Sequence, residues 1–361
     1  MIISYSRSLA WIQEAAKLNR ISDKTLLEKT IRALSLLEGL ALHGIDFVFK
    51  GGTALMLMLG STRRLSIDID IVMGATEPPS EEALASIASL AGFSRVELQS
   101  RKHGTALKKA HYKFWYAPSH ITNRSEDYVL LDIVMEGIHY PQIRQIEIVS
   151  PFLQQEAQPV QVWVPTYEGI LGDKLTAFAP QTTGIPYYKN GDSKSMEIIK
   201  QLFDIGCLYD KVESLEQVAA AFRGHAEAAL LQRGLTELDV EHVLEDILET
   251  AFCICLRGSH LPEQYAELHA GVQRIQSFIF SENYHLEKVI LHASKAANLA
   301  LAIQANCETL SRWTPGLAMG NMLVMQPERN KVNKLKKSNP EAFFYWYSGL
   351  SQVVEPISAQ G

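Results

Sequence analysis

The sequence predicts an α+β protein, with a mixed β-sheet domain in the N-terminal half and a mostly α-helical C-terminal domain. Two observations predict this class. Up to about residue 160, short segments rich in β-branched and aromatic residues alternate with helical segments. After Pro165 the long segments have apolar residues at helical spacing. With 361 residues, 47% of them hydrophobic, the chain is long enough for two domains, which we place at 1–160 and 161–361.

In the N-terminal half, predicted helices and strands follow one another closely. The leucine spacing predicts a helix over Ser22–Leu42 that stops at Gly44. The next predicted elements are a strand at IDFVFK, a helix at TALMLMLG, an alternating strand over Leu65–Met73 and a helix from Ser80 to Gly92. Further strands are predicted at RVELQS, AHYKFWYAP, DYVLLDIVME, QIRQIEIVS and VQVWVP.

The C-terminal half contains segments with helical periodicity and no internal repeat. They are YEGILGDKLTAFAP, SMEIIKQLFDIGCLYD, SLEQVAAAFRGHAEAALLQ, TELDVEHVLEDILETAFCICL and YHLEKVILHASKAANLALAIQANCETL. Near the C-terminus a basic segment, ERNKVNKLKKSNP, precedes the aromatic run FFYWYSGL. This pair fits either a phosphate contact with aromatic rings that stack on bases, or a solvated helix end beside a packed aromatic cluster; we favour the second.

Composition excludes several classes of protein. A net charge of −6 argues against a free-standing nucleic-acid-binding protein, so a contact with nucleic acid depends on a local patch. The four cysteines form no CxxC framework, so we expect reduced thiols. The N-terminus lacks the pattern of a signal peptide and no apolar run reaches membrane length, so we expect a cytoplasmic protein with no membrane contact.

Two aspartates interrupt the apolar strand predicted over Leu65–Met73. Because side chains alternate along a strand, Ser66, Asp68 and Asp70 share one face, and the isoleucines share the other. Carboxylates this close repel each other unless a cation lies between them. Mg²⁺ (or Mn²⁺) takes oxygen ligands and keeps coordination positions open for substrate phosphates. The sequence therefore predicts a metal site at Asp68 and Asp70.

A glycine pair precedes these acids. Gly51 and Gly52 lie between a predicted strand and a helix that begins near Thr53. Free backbone N–H groups at a helix start bind anions, and glycine lets a phosphate approach closely. We expect a nucleotide to bind at Gly51, Gly52 and Thr53. Ser66, on the face of the acids, is a candidate hydrogen-bond partner of the nucleotide or of a carboxylate, although a structural role suits it equally well.

A third acid, Asp132, lies inside the apolar strand DYVLLDIVME. Alternation places it on the face opposite Leu131 and Ile133. If this strand lies beside the strand of Asp68 and Asp70, three carboxylates converge, and two metal ions could activate a hydroxyl and stabilise a leaving oxygen. A strand-end acid facing water is an equally good interpretation of Asp132 alone. The order of elements is more specific than any one of these residues alone: a strand, then Gly-Gly-Thr, a helix and a strand with the pattern D-x-D.

This combination resembles the AbiEii/AbiGii toxin-like nucleotidyltransferases of the DNA polymerase β-type superfamily. The similar segments are GGTAL from Gly51, RLSIDID from Arg64 to Asp70, YEGILGDKLTAF and KQLFDIGCLYD. The resemblance spans about Phe47 to Asp210 and implies a polymerase β-type nucleotidyltransferase domain followed by helices. It also implies an NTP substrate, a divalent metal, a cognate antitoxin, and an acceptor that is tRNA, another RNA or a protein.

The resemblance also assigns residues. Asp68 and Asp70 match the paired metal-binding acids, and Asp132 matches the third. Lys174 matches a lysine that steadies the triphosphate, with Asp173 beside it. In the fourth motif, Lys200-Gln201 stands where the family often has Arg-Asp and only Asp204 is kept, so the role of this motif stays open.

The function expected is metal-dependent transfer of an NMP from an NTP to a hydroxyl acceptor, by the toxin of a toxin–antitoxin (abortive infection) system. The same site would also suit transfer to a small molecule or a protein. From another class, the alternative is an NTP-binding or partner-binding module without catalytic turnover. Arg64 is a candidate partner of a carboxylate or a phosphate. His111 and Lys113 are candidates for contact with substrate, but charges on an edge strand explain them more simply.

Overall fold

The computed structural model describes residues 1–60, 64–74, 77–99, 108–120, 125–156 and 158–353. Ser100, at the end of one predicted strand, lies outside these ranges. The chain divides into two compact units. The first comprises Met1–Thr166 and Ser277–Asn283, and the second comprises Tyr167–Gln276 and Tyr284–Gly361.

The first unit is built around a seven-stranded mixed sheet with the order β3-β4-β5-β2-β1-β7-β6. The pairs β2–β5 and β1–β7 are parallel and the others are antiparallel. The strands are β1 (Val48–Lys50), β2 (Ile69–Met73), β3 (Arg95–Leu98), β4 (Lys108–Tyr116), β5 (Asp127–Met135), β6 (Ile143–Glu147) and β7 (Gln161–Pro165). Its helices are α1 (Leu9–Leu18), α2 (Lys24–Leu42), α3 (Gly51–Met58) and α4 (Glu81–Ala91), with a 3₁₀ turn at Ser4–Arg7.

One face of the central strands forms the core of this unit. Ile69, Ile71, Leu131 and Ile133 are fully buried, as strand alternation predicts. Helix α2 packs against β2 and β5. It begins at Lys24, two residues later than expected, because the Asp23 side chain accepts a hydrogen bond from the Leu26 N–H and caps the helix.

Strand β2 is shorter than the sequence predicted. The expected strand began at Leu65, but the observed one begins at Ile69. The preceding backbone bonds to other parts of the unit: the Leu65 N–H donates to the Phe278 carbonyl, and the Ser66 carbonyl accepts from the Thr30 hydroxyl. These groups are therefore not available to a neighbouring strand, although the alternation of side chains beyond Ile69 is as expected.

The second unit is helical. Helix α10 packs against α6, α8 and α12, and its alanine-rich surface is almost completely buried. The helices are α5 (Tyr167–Ala177), α6 (Ser195–Tyr209), α7 (Leu215–Arg233), α8 (Val240–Cys255), α9 (Pro262–Arg274), α10 (Leu286–Gln304), α11 (Leu335–Ser338) and α12 (Pro340–Val353). A hairpin of β8 (Tyr188–Lys189) and β9 (Asp192–Ser193) and a 3₁₀ turn at Asn330–Lys334 complete it; another 3₁₀ turn spans Ile275–Phe278.

Candidate active site

Two of the predicted acids are direct neighbours in the sheet. Strands β2 and β5 are parallel, and Asp70 pairs with Asp132 in register. Residues in register on adjacent strands project from the same face, with backbones about 4.8 Å apart. Asp70 and Asp132 therefore lie side by side on the face opposite the buried isoleucines, and the Asp132 side chain is 29% exposed. The sheet brings together two acids that are 62 positions apart in the sequence.

The two acids belong to a polar row that crosses four strands. The register pairs His111 of β4 with Asp132, and Lys50 of β1 with Asp70. His111 Nδ1 lies 2.6 Å from Asp132 Oδ1. The sequence interpretation of His111 and Lys113 as edge charges is wrong, because β4 lies between β3 and β5. The Lys113 ammonium group lies over the Tyr128 ring, 4.6 Å from its centroid. The alternation in AHYKFWY signals that His111 faces away from the core, but it does not reveal the acid opposite.

The glycine pair lies against the same acids. Gly51 begins α3 with φ of +76°, a backbone conformation that side chains other than glycine rarely adopt. A Cβ on Gly51 would lie 2.9 Å from Asp70 Cγ. A Cβ on Gly52 would lie 2.8 Å from Ser66 Oγ and 2.6 Å from Arg64 Nη2. The absence of side chains thus leaves the start of α3 directly beside the Asp70 carboxylate, with polar groups around it.

Thr53 contacts the backbone of Asp68. Asp68 precedes β2, and its carbonyl accepts a 2.6 Å hydrogen bond from the Thr53 hydroxyl. Thr53 is completely buried. Its side chain therefore ties α3 to the segment that leads into β2. A contact of Thr53 with nucleotide would have to use its backbone N–H.

A divalent metal at this site would depend on the carboxylates of the polar row. Among the described residues, no group of three or more His, Cys, Asp or Glu side chains is arranged to hold a metal ion. A three-carboxylate ligand set therefore remains a prediction. The adjacent carboxylates of Asp70 and Asp132 fit the way Mg²⁺ is commonly bound, by one or two carboxylates with substrate phosphates and waters as the other ligands. The missing side chains of Gly51 and Gly52 let Asp70, Ser66 and Arg64 lie directly against the start of α3.

The third-motif lysine lies in the helical unit. Lys174 on α5 is buried, with only 5% of its surface exposed. Its ammonium group lies 3.0 Å from Asp204 Oδ2 and donates to Gln201 Oε1 at 2.9 Å. Both partners are on α6. The third and fourth motifs are therefore joined by a buried ion pair, and the neighbouring Asp173 is half-buried on α5.

The basic C-terminal segment is largely part of the packed structure. Arg329 is 7% exposed and bridges Glu245 and Glu249. Phe343 and Trp346 are fully buried. The interpretation as a packed aromatic cluster is therefore correct for these rings, which are not available to stack on bases.

The sequence match to a known protein family identifies the class of enzyme to which the polar row belongs. A nucleotidyl transferase family model matches residues 35–268, well over half of the chain and the whole of the polar row. The protein is a nucleotidyltransferase with an α+β fold. The matching family is the nucleotidyl transferase AbiEii toxin of type IV toxin–antitoxin systems, and the chain belongs to it.

The chain is also similar, at low sequence identity, to solved structures from Helicobacter pylori. JHP933 from Helicobacter pylori is 16% identical, with a TM-score of 0.44, and the match covers 79% of this chain and 94% of that chain. A second H. pylori protein gives the same identity and TM-score over 78% and 94%. No curated protein matches the chain. Within the described residues, no helix is both long enough and apolar enough to cross a membrane.

Proposed function

We propose that the protein transfers an NMP from an NTP to a hydroxyl group of an acceptor in a metal-dependent reaction, as the toxin of an abortive-infection toxin–antitoxin system. The observation that carries this proposal is the register of β2 and β5. It sets the Asp70 and Asp132 carboxylates side by side, next to a glycine whose lack of a side chain lets the Asp70 carboxylate lie against the start of α3. Membership of the AbiEii family supports the reaction class.

The acids would hold the metal and prepare the acceptor. Asp68, Asp70 and Asp132 are the proposed ligands of Mg²⁺ or Mn²⁺, which when bound would neutralise charge that develops on the triphosphate. The Asp132 carboxylate accepts the proton of the acceptor hydroxyl as its oxygen attacks the α-phosphorus. The bond from the α-phosphorus to the bridging oxygen breaks, and pyrophosphate leaves.

Other residues would bind the nucleotide. The backbone N–H groups at Gly51, Gly52 and Thr53 are proposed to hold the phosphates, because they are at the start of a helix. Ser66, beside Gly52, is the proposed side-chain donor. Family resemblance adds Lys174 and Asp173 as residues that steady the triphosphate. The proposed partners are an RNA or protein acceptor, with tRNA among the RNAs, and a cognate antitoxin.

The test is transfer of radiolabel from each α-³²P-NTP, supplied separately with Mg²⁺, to total RNA, tRNA and cell protein. We expect the wild type to label one class of acceptor. Asp70→Asn and Asp132→Asn should each reduce labelling by at least about 10³-fold, since a metal contributes several kcal/mol to the transition state. Asp46→Asn, the same change at an exposed loop residue, should retain activity.

The outcomes separate the proposed function from its alternative. If no acceptor is labelled and NTP still binds, the protein is a nucleotide-binding module without turnover. If labelling occurs and survives Asp70→Asn and Asp132→Asn, the reaction uses another site.

A further inference from the structure

His111 is the one histidine of the polar row. It lies near the centre of β4, opposite Asp132 in the antiparallel register. On its other side, Gln99, the residue after β3, donates its backbone N–H to the His111 carbonyl at 2.7 Å. The neighbours of His111 in the sequence, Ala110 and Tyr112, are buried on the opposite face. The position of the imidazole is thus fixed by the strand rather than by a loop.

The contact between His111 and Asp132 has a defined direction. An ionised carboxylate only accepts hydrogen bonds, so His111 Nδ1 carries the proton and donates to Asp132 Oδ1 over 2.6 Å. The His111 side chain is 11% exposed and that of Asp132 is 29% exposed. A short bond in this partly dehydrated setting is stronger than one on an open surface. It restricts rotation of the carboxylate about its χ angles.

We infer that His111 is a positioning residue that orients the Asp132 carboxylate for its work. With Oδ1 held by His111, Oδ2 would be the oxygen left to bind a metal ion or the acceptor hydroxyl. The inference rests on the proposed function of Asp132. Carboxylates that ligate metals are commonly held by such hydrogen bonds, and loss of the partner typically costs 10–100-fold in metal affinity or activity.

The test uses three substitutions that differ in where they place a donor. His111→Asn puts an amide nitrogen near the position of Nδ1, whereas His111→Gln carries its amide one atom further out, near Nε2. His111→Leu keeps the bulk and has no donor. Lys113→Gln, two residues along the same strand and on the same face, is the matched control.

The measurement is the dissociation constant for Mn²⁺ alone, from the EPR signal of the free ion, with the full-length protein and no nucleotide. We expect His111→Leu and His111→Gln to weaken Mn²⁺ binding about 10–100-fold. His111→Asn should bind within a factor of a few of the wild type, and so should Lys113→Gln. The kcat for NMP transfer should follow the same order, with KM for NTP little changed.

Asp132→Asn separates the inference from the proposed function. If this variant binds Mn²⁺ and transfers NMP like the wild type, the proposed role of Asp132 fails. If Asp132→Asn is defective and His111→Leu is not, the positioning role of His111 is overturned. Equal losses in the Asn and Leu variants would also overturn it, because a purely packing role would not be rescued by a donor. Thermal unfolding of the metal-free variants identifies any that are misfolded, and for these the EPR comparison is repeated with His111→Ser.

Discussion

At the scale of single residues, the site depends on the absence of a side chain at Gly51. Gly51 has positive φ, and its Cα faces the Asp70 carboxylate so closely that a methyl group would displace it. Gly44 has a similar φ, of +69°, with no atom within 4 Å of its virtual Cβ. Both glycines have positive φ, but only Gly51 lies against another side chain. They are therefore a matched pair for experiment.

Substitution of each glycine by alanine separates backbone strain from displacement of Asp70. Gly51→Ala and Gly44→Ala should both lower the free energy of unfolding by about 1–2 kcal/mol, because each forces alanine into left-handed backbone geometry. Only Gly51→Ala should also abolish NMP transfer, since the Asp70 side chain must rotate away. Urea unfolding and the labelling assay measure the two effects. Equal activity in the two variants would show that the position of Asp70 does not depend on Gly51.

The pair Asp70 and Asp132 also predicts a link between metal and stability. Like charges on facing strand positions destabilise a sheet by a few tenths to about 1 kcal/mol. A cation that binds the folded state stabilises it, by about 2.7 kcal/mol at a concentration 100 times its Kd. We therefore expect Mn²⁺ to raise the Tm of the wild type and to leave that of Asp70→Asn almost unchanged. Asp46→Asn should respond to Mn²⁺ like the wild type; a response retained in Asp70→Asn would show that Mn²⁺ stabilises the protein through another site.

At the scale of helices and strands, the ion pair between α5 and α6 gives the third and fourth motifs a structural role. The side chains of Lys174 and Asp204 are 7% and 2% exposed, so the two opposite charges are buried together. Removing one partner of such a pair commonly costs 3–5 kcal/mol, whereas an exposed pair contributes about 0–1 kcal/mol. The pair Arg257–Glu287, with both side chains over 40% exposed, is the natural comparison.

A double-mutant cycle tests this role. Lys174→Met and Asp204→Leu should each lower the free energy of unfolding by about 3–5 kcal/mol. The double variant should lose less than the sum, because it leaves no unpaired charge. Glu287→Gln should change stability by less than about 1 kcal/mol. Additive losses in chemical unfolding would mean that the two side chains do not depend on each other.

The elements show what could be predicted from sequence and what could not. Alternation of side chains in β2 and β5 predicted the faces of Asp70 and Asp132, because this period is local. The register that pairs them depends on the strand order of the whole sheet, which no local pattern encodes. For the same reason the contact of His111 with Asp132 was missed. Strand β2 begins only at Ile69 because the preceding backbone bonds to Thr30 and Phe278, which are remote in sequence.

At the scale of the whole molecule, the helical unit also contains thiols that have no role in the proposed reaction. All four cysteines are free thiols. Cys253 and Cys255 are buried on α8, where the Cys255 thiol accepts from the Trp346 indole N–H and lies near Ser294. Burial raises the pKa of Cys253 to about 12 and that of Cys255 to about 11.

These two thiols predict how the helical unit responds to alkylation and to pH. At pH 8 only about one part in 10³ or less of either thiol is ionised in the folded state, so iodoacetamide should modify Cys253 and Cys255 only when the unit opens. Peptide mass spectrometry should show Cys207 and Cys307, which are partly exposed, modified well before them. The same thiols predict a pH dependence of stability. The unfolded chain releases the protons of Cys253 and Cys255 near pH 9, whereas the folded chain keeps them to about pH 11–12. The thiols therefore favour the folded state below pH 9, and this contribution to the free energy of unfolding is lost as the pH rises from 9 towards 12. Cys253→Ala should reduce the dependence of the free energy of unfolding on pH between 9 and 12. An unchanged dependence would contradict the burial of Cys253. Early alkylation of Cys255 in the folded protein would contradict the burial of Cys255.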